Sequence, residues 1–195
     1  IEDPVEFLHQ HKKSLISQRN VGEDTASFAD ALKYALRQDP DIIYVGEMRD
    51  VETIRAAITA AETGHLVFGT LHTNSAVQTL NRIINVFPSD EQAMVRTQLS
   101  MNLVSVISQV LIPKLGGGRV AIQEIMINTP AISNLVREEK QHQIYAQMQL
   151  NQQNTRMQTQ SQELIRAFRE HLISQEDALK YASSLDEVKR AIGAI

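Results

Sequence analysis

The sequence contains no cysteine and no tryptophan, and aromatic residues make up 5% of its 195 positions. Without cysteine the chain can form neither disulfides nor thiolate-ligated zinc sites, which is consistent with a reducing compartment. Its apolar runs all fall short of the roughly 18–20 residues that a membrane-spanning helix needs. We therefore expect a soluble, cytoplasmic protein without a transmembrane segment.

The sequence also carries fewer positive than negative charges. The 19 lysines and arginines are outnumbered by 23 aspartates and glutamates, which gives a formal net charge of −4. This balance argues against nucleic-acid binding through general basicity, although it leaves a local basic surface open, and we predict no nucleic-acid partner. The length fits one globular domain with an appendage.

Two kinds of apolar pattern alternate in the first half of the chain. Apolar residues recur at helical intervals in some segments and form short continuous runs in others. The predicted elements are a helix at 25–37 with Thr25 as its N-cap, a strand at 42–45, a helix at 50–63, a strand at 66–71 and a helix from 74 or 75 to about 86. Short apolar runs are typical of strands buried on both faces, so this alternation predicts an α/β fold whose parallel sheet is covered by helices on both sides.

The second half begins with a helix that reaches about residue 103. Two strands at 104–112 and 119–127, joined around three glycines, then predict an antiparallel hairpin. Beyond Pro130 the pattern is helical throughout. We place a domain boundary there, with an α/β part at 1–130 and a helical subdomain at 131–195.

Carboxylates stand at two predicted strand ends. The chain opens with Glu2, Asp3 and a proline, which is typical of the end of a buried strand, and Glu47 follows the strand at 42–45. The missing start of that first strand leads us to expect a longer parent polypeptide. Carboxylates at such ends can hold Mg²⁺ through water or activate a water molecule. The alternatives are a solvated acidic loop that includes Glu6, and a helix-capping role for Glu47.

Histidines and arginines surround these positions. His65 and His72 bracket a strand and lie on the order of 20 Å apart, too far to share one metal ion. His72, at a strand-to-helix turn, could sense a γ-phosphate or could simply bond to the backbone. The arginines suit phosphate binding but could equally form surface ion pairs, and they are Arg19, Arg37, Arg49, Arg55 and Arg82.

The order of these motifs resembles that of the PilT-like type IV pilus retraction ATPases of the secretion-ATPase superfamily. Residues 1–6 resemble the family's Asp box, residues 39–50 its Walker B segment with the atypical Gly46-Glu47 ending, and residues 63–74 its His box. Shorter stretches at 18–22, 82–88 and 173–188 are also similar to family sequences. The resemblance implies a RecA-like parallel sheet core with an antiparallel hairpin, followed by a C-terminal helical subdomain.

The resemblance also implies roles for individual residues. Glu2 would be the catalytic carboxylate that activates water, Asp3 would support it near Mg²⁺, and Glu47 would hold Mg²⁺ through water. His72, together with His65, would sense the γ-phosphate. Arg19 and Arg37 would complete a nucleotide site across a subunit boundary or between lobes.

The implied protein is an ATP- and Mg²⁺-dependent motor that forms a homo-hexamer. It would act on an inner-membrane pilus platform protein from the cytoplasmic side of the pilus base. Alternatives are an ATPase of type II or type IV secretion and a non-catalytic docking module for ring assembly. The absence of cysteine argues against the pilus extension branch, whose members often carry a four-cysteine zinc site.

Several features depart from the family pattern. No Gly-x-x-x-x-Gly-Lys-Ser/Thr loop occurs anywhere, since Gly116-Gly117-Gly118-Arg119 lacks the lysine and the helix context. Such a loop supplies the amides that cradle phosphates, so we expect this chain alone to be inactive and assign the activity to the intact parent. Residues 131–140 fit the family's retraction motif in part, and residues 141–160 are unusually rich in glutamine.

Overall fold

The computed structural model describes residues 1–150 and 152–193, which form two compact units. The first unit comprises Ile1–His72 and Arg82–Asn102, and the second comprises Thr73–Asn81 and the described part of Leu103–Ile195. In chain order the elements are α1 (Phe28–Ala35), β1 (Ile42–Val45), α2 (Val51–Glu62), β2 (Leu66–Gly69), α3 (Ala76–Asn85), α4 (Gln92–Asn102), β3 (Ser105–Pro113), β4 (Arg119–Ile127), α5 (Pro130–Arg137), a 3-10 turn (Gln141–Gln143), α6 (Ile144–Met148), α7 (Gln152–Thr155), α8 (Gln160–Arg169), α9 (Gln175–Lys180) and α10 (Leu185–Ile192). None of these helices, within the described ranges, is both long and apolar enough to span a membrane.

The first helices begin where a side-chain oxygen accepts a hydrogen bond from a free backbone amide. Ser27 caps α1 by accepting from the Asp30 amide at 3.0 Å. The predicted cap, Thr25, is wrong, because its hydroxyl donates instead to the Ser27 carbonyl at 3.2 Å. Asp50 caps α2 by accepting from the Thr53 amide at 2.8 Å. The helix-capping alternative for Glu47 is therefore also wrong.

The sheet of the first unit is built from parallel segments. β1 pairs with β2 in parallel, with Ile42 opposite Leu66 and Val45 opposite Gly69. On the other side of β1, Gly46 donates its amide to the Ile1 carbonyl at 2.8 Å.

A further segment extends this sheet beyond Ile1 and Glu2. The Glu2 amide donates to the Arg19 carbonyl at 3.0 Å, and the Val21 amide donates to the Glu2 carbonyl at 2.9 Å. The order across the sheet is therefore residues 19–21, residues 1–2, β1 and β2. The first residues thus pair in parallel with their neighbours on both sides.

One face of this sheet carries the core of the first unit. Ile43 and Val45 are buried against Leu32 of α1 and Ala57 and Ala60 of α2. The side chains on the opposite face are exposed, and they are Ile42, Tyr44, Leu66 and Phe68. The prediction that these strands are buried on both faces is therefore wrong for this chain, because α1 and α2 pack on the same side.

The second unit is organised around an antiparallel hairpin. Its register runs from Ser105 opposite Ile127 to Pro113 opposite Arg119, which confirms the predicted hairpin to within one residue at each end. The turn is made by Gly116, Gly117 and Gly118, whose φ angles are 85°, 105° and 76°. Residues other than glycine rarely adopt such positive values.

The hairpin shares its core with the C-terminal helices. Ile112 and Ile122 are buried with Leu164 and Ala167 of α8 and Val188 of α10. The Thr159–Gln162 capping box begins α8. Compactness thus groups the hairpin with the helices that follow it, and the predicted domain boundary at residue 130 stays a prediction.

Candidate active site

The carboxyl ends of β1 and β2 meet at one edge of the parallel sheet. The Met48 amide donates to the Thr70 carbonyl at 2.9 Å, and the Thr70 hydroxyl donates to the Gly46 carbonyl. These bonds tie the turn after β1 to the turn after β2. The side chains of Glu47 and His72 are brought together as a result, at the kind of edge where open α/β sheets bind ligands.

Glu47 lies between the side chains of Arg49 and His72. Its Oε1 accepts from Arg49 Nε and lies 3.4 Å from His72 Nε2. The Glu47 side chain is 17% exposed, whereas those of Arg49 and His72 are both largely exposed. The hydrogen bond from Arg49 is the main cause that lowers the pKa of Glu47 below its ordinary value. Glu47 is therefore ionised at neutral pH.

Gly46 allows Glu2 to approach the end of β1. A Cβ atom at position 46 would lie 3.0 Å from the Ile1 carbonyl oxygen and 3.2 Å from the Glu2 Cα. Any larger residue would therefore push the two strand ends apart. This contact gives a physical reason for the Gly46-Glu47 sequence at the end of the strand.

The backbone pairing places Glu2 at the same edge as Glu47. Glu2 is half-buried, and its Oε2 accepts a hydrogen bond from Gln18 Nε2 at 2.9 Å. Asp3 is exposed, and its charge adds to the raised pKa of Arg49, whose larger causes are the hydrogen bond and charge of Glu47. Glu6 belongs to the exposed loop that follows.

The two histidines lie at opposite ends of β2. His72 follows the strand at the carboxyl edge, in a left-handed conformation with φ of 49°. His65 precedes it, and its Nδ1 lies 3.0 Å from the Ala60 carbonyl oxygen and 3.1 Å from the Thr63 hydroxyl. The structure therefore brings His72 to Glu47 and leaves His65 at the end of α2.

The two arginines that we selected lie near α1. Arg19 is half-buried and donates to Gln38 Oε1 at 2.8 Å and to the Ala31 carbonyl at 3.3 Å. Arg37 is exposed just beyond the helix. These contacts hold Arg19 against α1 and do not involve the carboxylates of the strand ends.

Of the remaining arginines, Arg55 forms a local ion pair. It contacts Glu91 at 2.6 Å and lies 5.1 Å from the Phe87 ring centre. Arg82 is exposed on α3. Arg49 is the arginine that contacts Glu47. The sequence analysis assigned it no specific role. Its position two residues after Glu47 could have indicated this contact.

The carboxylates of this edge suit one mode of metal binding. In the described ranges, no three His, Asp or Glu side chains are grouped closely enough to hold a metal ion. Mg²⁺, however, usually takes one or two carboxylates and completes its shell with water and phosphate oxygens. Glu47 and Asp3 fit that mode, with Glu47 already ionised.

A parallel α/β sheet with acidic and histidine side chains at its carboxyl edge defines a ligand-binding α/β protein. The family model described as type II/IV secretion system protein matches residues 1–117. The chain belongs to this family.

Two relatives have names that refer to pilus retraction and to twitching motility. The chain is 65% identical to the type IV pilus retraction ATPase PilT of Pseudomonas aeruginosa over 149 residues, which are 76% of this chain and 43% of that protein. It is 54% identical to a twitching motility protein of Neisseria gonorrhoeae over 189 residues, which are 96% of this chain and 50% of that protein. The resemblance to PilT-like ATPases is therefore confirmed.

Solved structures agree with the fold. A crystal structure of the pilus retraction motor PilT with bound ADP has a TM-score of 0.89 and 52% identity, covering 97% of this chain and 53% of that one. The Legionella pneumophila ATPase DotB has a TM-score of 0.79 and 28% identity, covering 90% and 48%. The predicted fold class is confirmed. The chain spans about half the length of the relatives it matches.

Proposed function

We propose that this chain is part of an ATP-hydrolysing motor for type IV pilus retraction, and that it supplies the carboxylates for hydrolysis. The observation that carries the proposal is the convergence of Glu2, Glu47 and His72 at the carboxyl edge of the parallel sheet. The names of the relatives, a retraction ATPase and a twitching motility protein, support the same reading. The identity is 65% over 149 residues to the pilus retraction ATPase PilT and 47% over 90 residues to the type II secretion system protein E of Xanthomonas campestris, which favours retraction over secretion.

Glu2 accepts a proton from the attacking water in this proposal. Its backbone amide and carbonyl are both hydrogen-bonded to residues 19–21, and its side chain is held by Gln18. A general base needs such a fixed position, because proton transfer requires a donor and acceptor about 2.6–3.2 Å apart. Asp3, next along the chain, adds negative charge beside Arg49.

Glu47 and Asp3 would hold Mg²⁺ through water, and the ion would neutralise phosphate charge when ATP is bound. The hydrogen bond from Arg49 lowers the pKa of Glu47 and so favours its ionised form. His72 is exposed and adjacent to Glu47, so it can respond to a γ-phosphate at the same edge. In this proposal the phosphate-cradling loop would be supplied by the rest of the parent protein.

The remaining residues act between subunits or lobes in this proposal. Arg37 is exposed and free to reach a neighbouring copy. Arg19 would act after release from Gln38, and His65, at the opposite end of β2, would take part with His72 in sensing the γ-phosphate. The proposed assembly is a homo-hexamer at the inner-membrane pilus base, working from the cytoplasm on a platform protein.

The first test compares ATP binding and hydrolysis by the 195-residue chain and by the parent protein. The parent is the longer polypeptide of which we propose this sequence to be a part. We expect hydrolysis in the parent alone. Absence of hydrolysis from both would favour the docking module.

The second test replaces the proposed base. Glu2→Gln in the parent should lower kcat by at least about a hundredfold, which is the lower end of the contribution from general-base catalysis, and should leave ATP binding intact. Glu6→Gln, in the same acidic cluster but on the exposed loop, is the matched control and should retain activity. Loss of ATP binding in Glu2→Gln would contradict the assigned role.

A further inference from the structure

The side-chain amide of Gln18 connects Glu2 to the loop that follows it. Gln18 Nε2 donates to Glu2 Oε2 at 2.9 Å and to the Phe7 carbonyl at 2.9 Å. Gln18 Oε1 accepts from the His9 amide at 2.8 Å. Both amide hydrogens and the oxygen are thus engaged. The orientation of the amide is determined by this network, because the flipped form would place its oxygen against a carboxylate and a carbonyl.

The backbone around Gln18 is itself held beside Glu2. The carbonyl of the next residue, Arg19, accepts a hydrogen bond from the Glu2 amide. The side-chain oxygen of Asn20 accepts a hydrogen bond from the Val5 amide at 3.2 Å. The Gln18 side chain therefore reaches Glu2 from an adjacent parallel segment of the sheet. A donor fixed in this way restricts the rotation of the Glu2 carboxylate.

The loop on the other side of this amide is open to solvent. Residues 6–17 are all exposed, including the apolar side chains of Phe7, Leu8 and Leu15, the last of which is 90% exposed. The loop meets Gln18 through the carbonyl of Phe7 and the amide of His9. A displacement of this loop therefore disturbs the same amide that holds Glu2.

We infer that Gln18 is a positioning residue for hydrolysis, which orients the Glu2 carboxylate toward the attacking water. The inference rests on the proposed role of Glu2 as the proton acceptor. An amide is a neutral donor, so it fixes Oε2 without supplying a proton that competes with that of water. The second carboxylate oxygen, Oε1, then takes the proton from the water.

The test measures kcat, KM and ATP affinity of the parent protein with Gln18→Ala. We expect kcat to fall by about ten- to a hundredfold, the range that small misplacements of catalytic groups produce, with ATP affinity within about twofold of the unmodified parent. Gln18→Met keeps the length of the side chain but has neither its donor nor its acceptor, and it should lower kcat in the same way. Agreement between the two variants would show that the fall does not come from a folding defect of the alanine variant. Gln10→Ala, exposed in the same loop, is the matched control and should leave kcat unchanged.

A double-mutant cycle distinguishes positioning from a general structural role. If Gln18 acts through Glu2, adding Gln18→Ala to Glu2→Gln should not lower the residual single-turnover rate further. A second fall of the same factor would overturn the inference, as would an unchanged kcat in both Gln18 variants. A parent without any ATP hydrolysis would overturn the proposed function as well, whereas hydrolysis that ignores Gln18 would overturn this inference alone.

Discussion

Two carboxylates, one in each compact unit, contact different kinds of partner. Glu47 in the first unit contacts the side chains of Arg49 and His72, both of which are exposed. Glu124 in the second unit is 3% exposed, and it accepts from the backbone amides of Ala76 at 2.8 Å and Gln160 at 3.4 Å. Exposed side-chain partners can be exchanged for a ligand, whereas backbone amides that are buried or half-buried cannot lose their acceptor without a free-energy penalty. The partners of a carboxylate therefore separate a candidate site residue from a structural one.

The structural role of Glu124 follows from where its partners lie. Ala76 is the first residue of α3 and Gln160 is the first residue of α8. Helix N-termini carry unpaired amides and partial positive charge, so one carboxylate satisfies two of them at once. Glu124 thereby joins β4 to the starts of two helices within the second unit.

Among the variants that test the contrast between Glu47 and Glu124, we expect Glu124→Ala to have the largest effect on stability. The substitution leaves the Ala76 and Gln160 amides without their acceptor, and we expect it to lower the free energy of unfolding by about 3 kcal/mol. Urea denaturation of the parent protein measures the loss, and hydrogen exchange at the two amides locates it. Glu124→Gln keeps acceptor oxygen and should lose about half as much.

A matched control for Glu124 is available in the same unit. Glu176→Ala removes an exposed carboxylate from α9 and should change the free energy of unfolding by less than about 0.5 kcal/mol. Equal losses of unfolding free energy in Glu124→Ala and Glu176→Ala would contradict the contrast between Glu47 and Glu124. Burial and backbone-amide partners would then not explain the structural role of Glu124.

A smaller effect is expected from Tyr145→Phe, which tests a half-buried polar contact of this unit. The Tyr145 hydroxyl donates to Glu187 Oε2 at 2.6 Å and lies 3.0 Å from Ser161 Oγ, so it joins α6, α8 and α10. The variant should lose about 1 kcal/mol of unfolding free energy. Tyr34→Phe, on the exposed side of α1, should lose almost nothing.

The pH dependence of stability provides an independent check on Tyr145. Burial, followed by the hydrogen bond to Glu187, raises the pKa of Tyr145 above the ordinary value of 10.0. The neutral phenol is therefore favoured in the folded state, and its contribution is present below that pH and decreases as the pH rises through the folded pKa. The advantage over Tyr145→Phe should shrink in alkaline solution, and a constant difference would contradict this account.

Local sequence patterns predicted the limits of the helices and strands better than they predicted how these elements pack. The strands β1, β3 and β4 fall within one residue of their predicted positions, because their limits are set by apolar runs and by glycine or proline nearby. The burial of β1 and β2 could not be predicted, because an apolar run does not reveal which of its faces a helix covers. Ser27 and Thr25 are both good capping residues, and the choice between them depends on which one reaches a free amide.

The candidate site shows the same division. Strand ends could be recognised from sequence, so the positions of Glu2, Glu47 and His72 at one edge follow from a parallel sheet. Contacts between distant segments left no local signal, which is why the roles of Gln18 and Glu124 emerge only from the structure. Whether the site residues act as the resemblance implies stays a prediction.

The smallest effect is expected from Arg49→Ala, which tests whether the partners of Glu47 can be exchanged. Arg49 is the largest cause of the lowered pKa of Glu47, so its removal should raise that pKa toward the ordinary carboxyl value. A lowered pKa keeps the carboxylate ionised until the pH falls through the folded value, and in the variant this loss begins at higher pH. We expect the acid limb of kcat/KM for ATP hydrolysis by the parent to move to higher pH, with little change at pH 8. Arg55→Ala, which breaks the pair with Glu91 in the same unit, should leave the acid limb in place. An acid limb that Arg49→Ala does not move would mean that Arg49 does not control the ionisation of Glu47 in the working enzyme, and the contrast between Glu47 and Glu124 would then rest on burial alone.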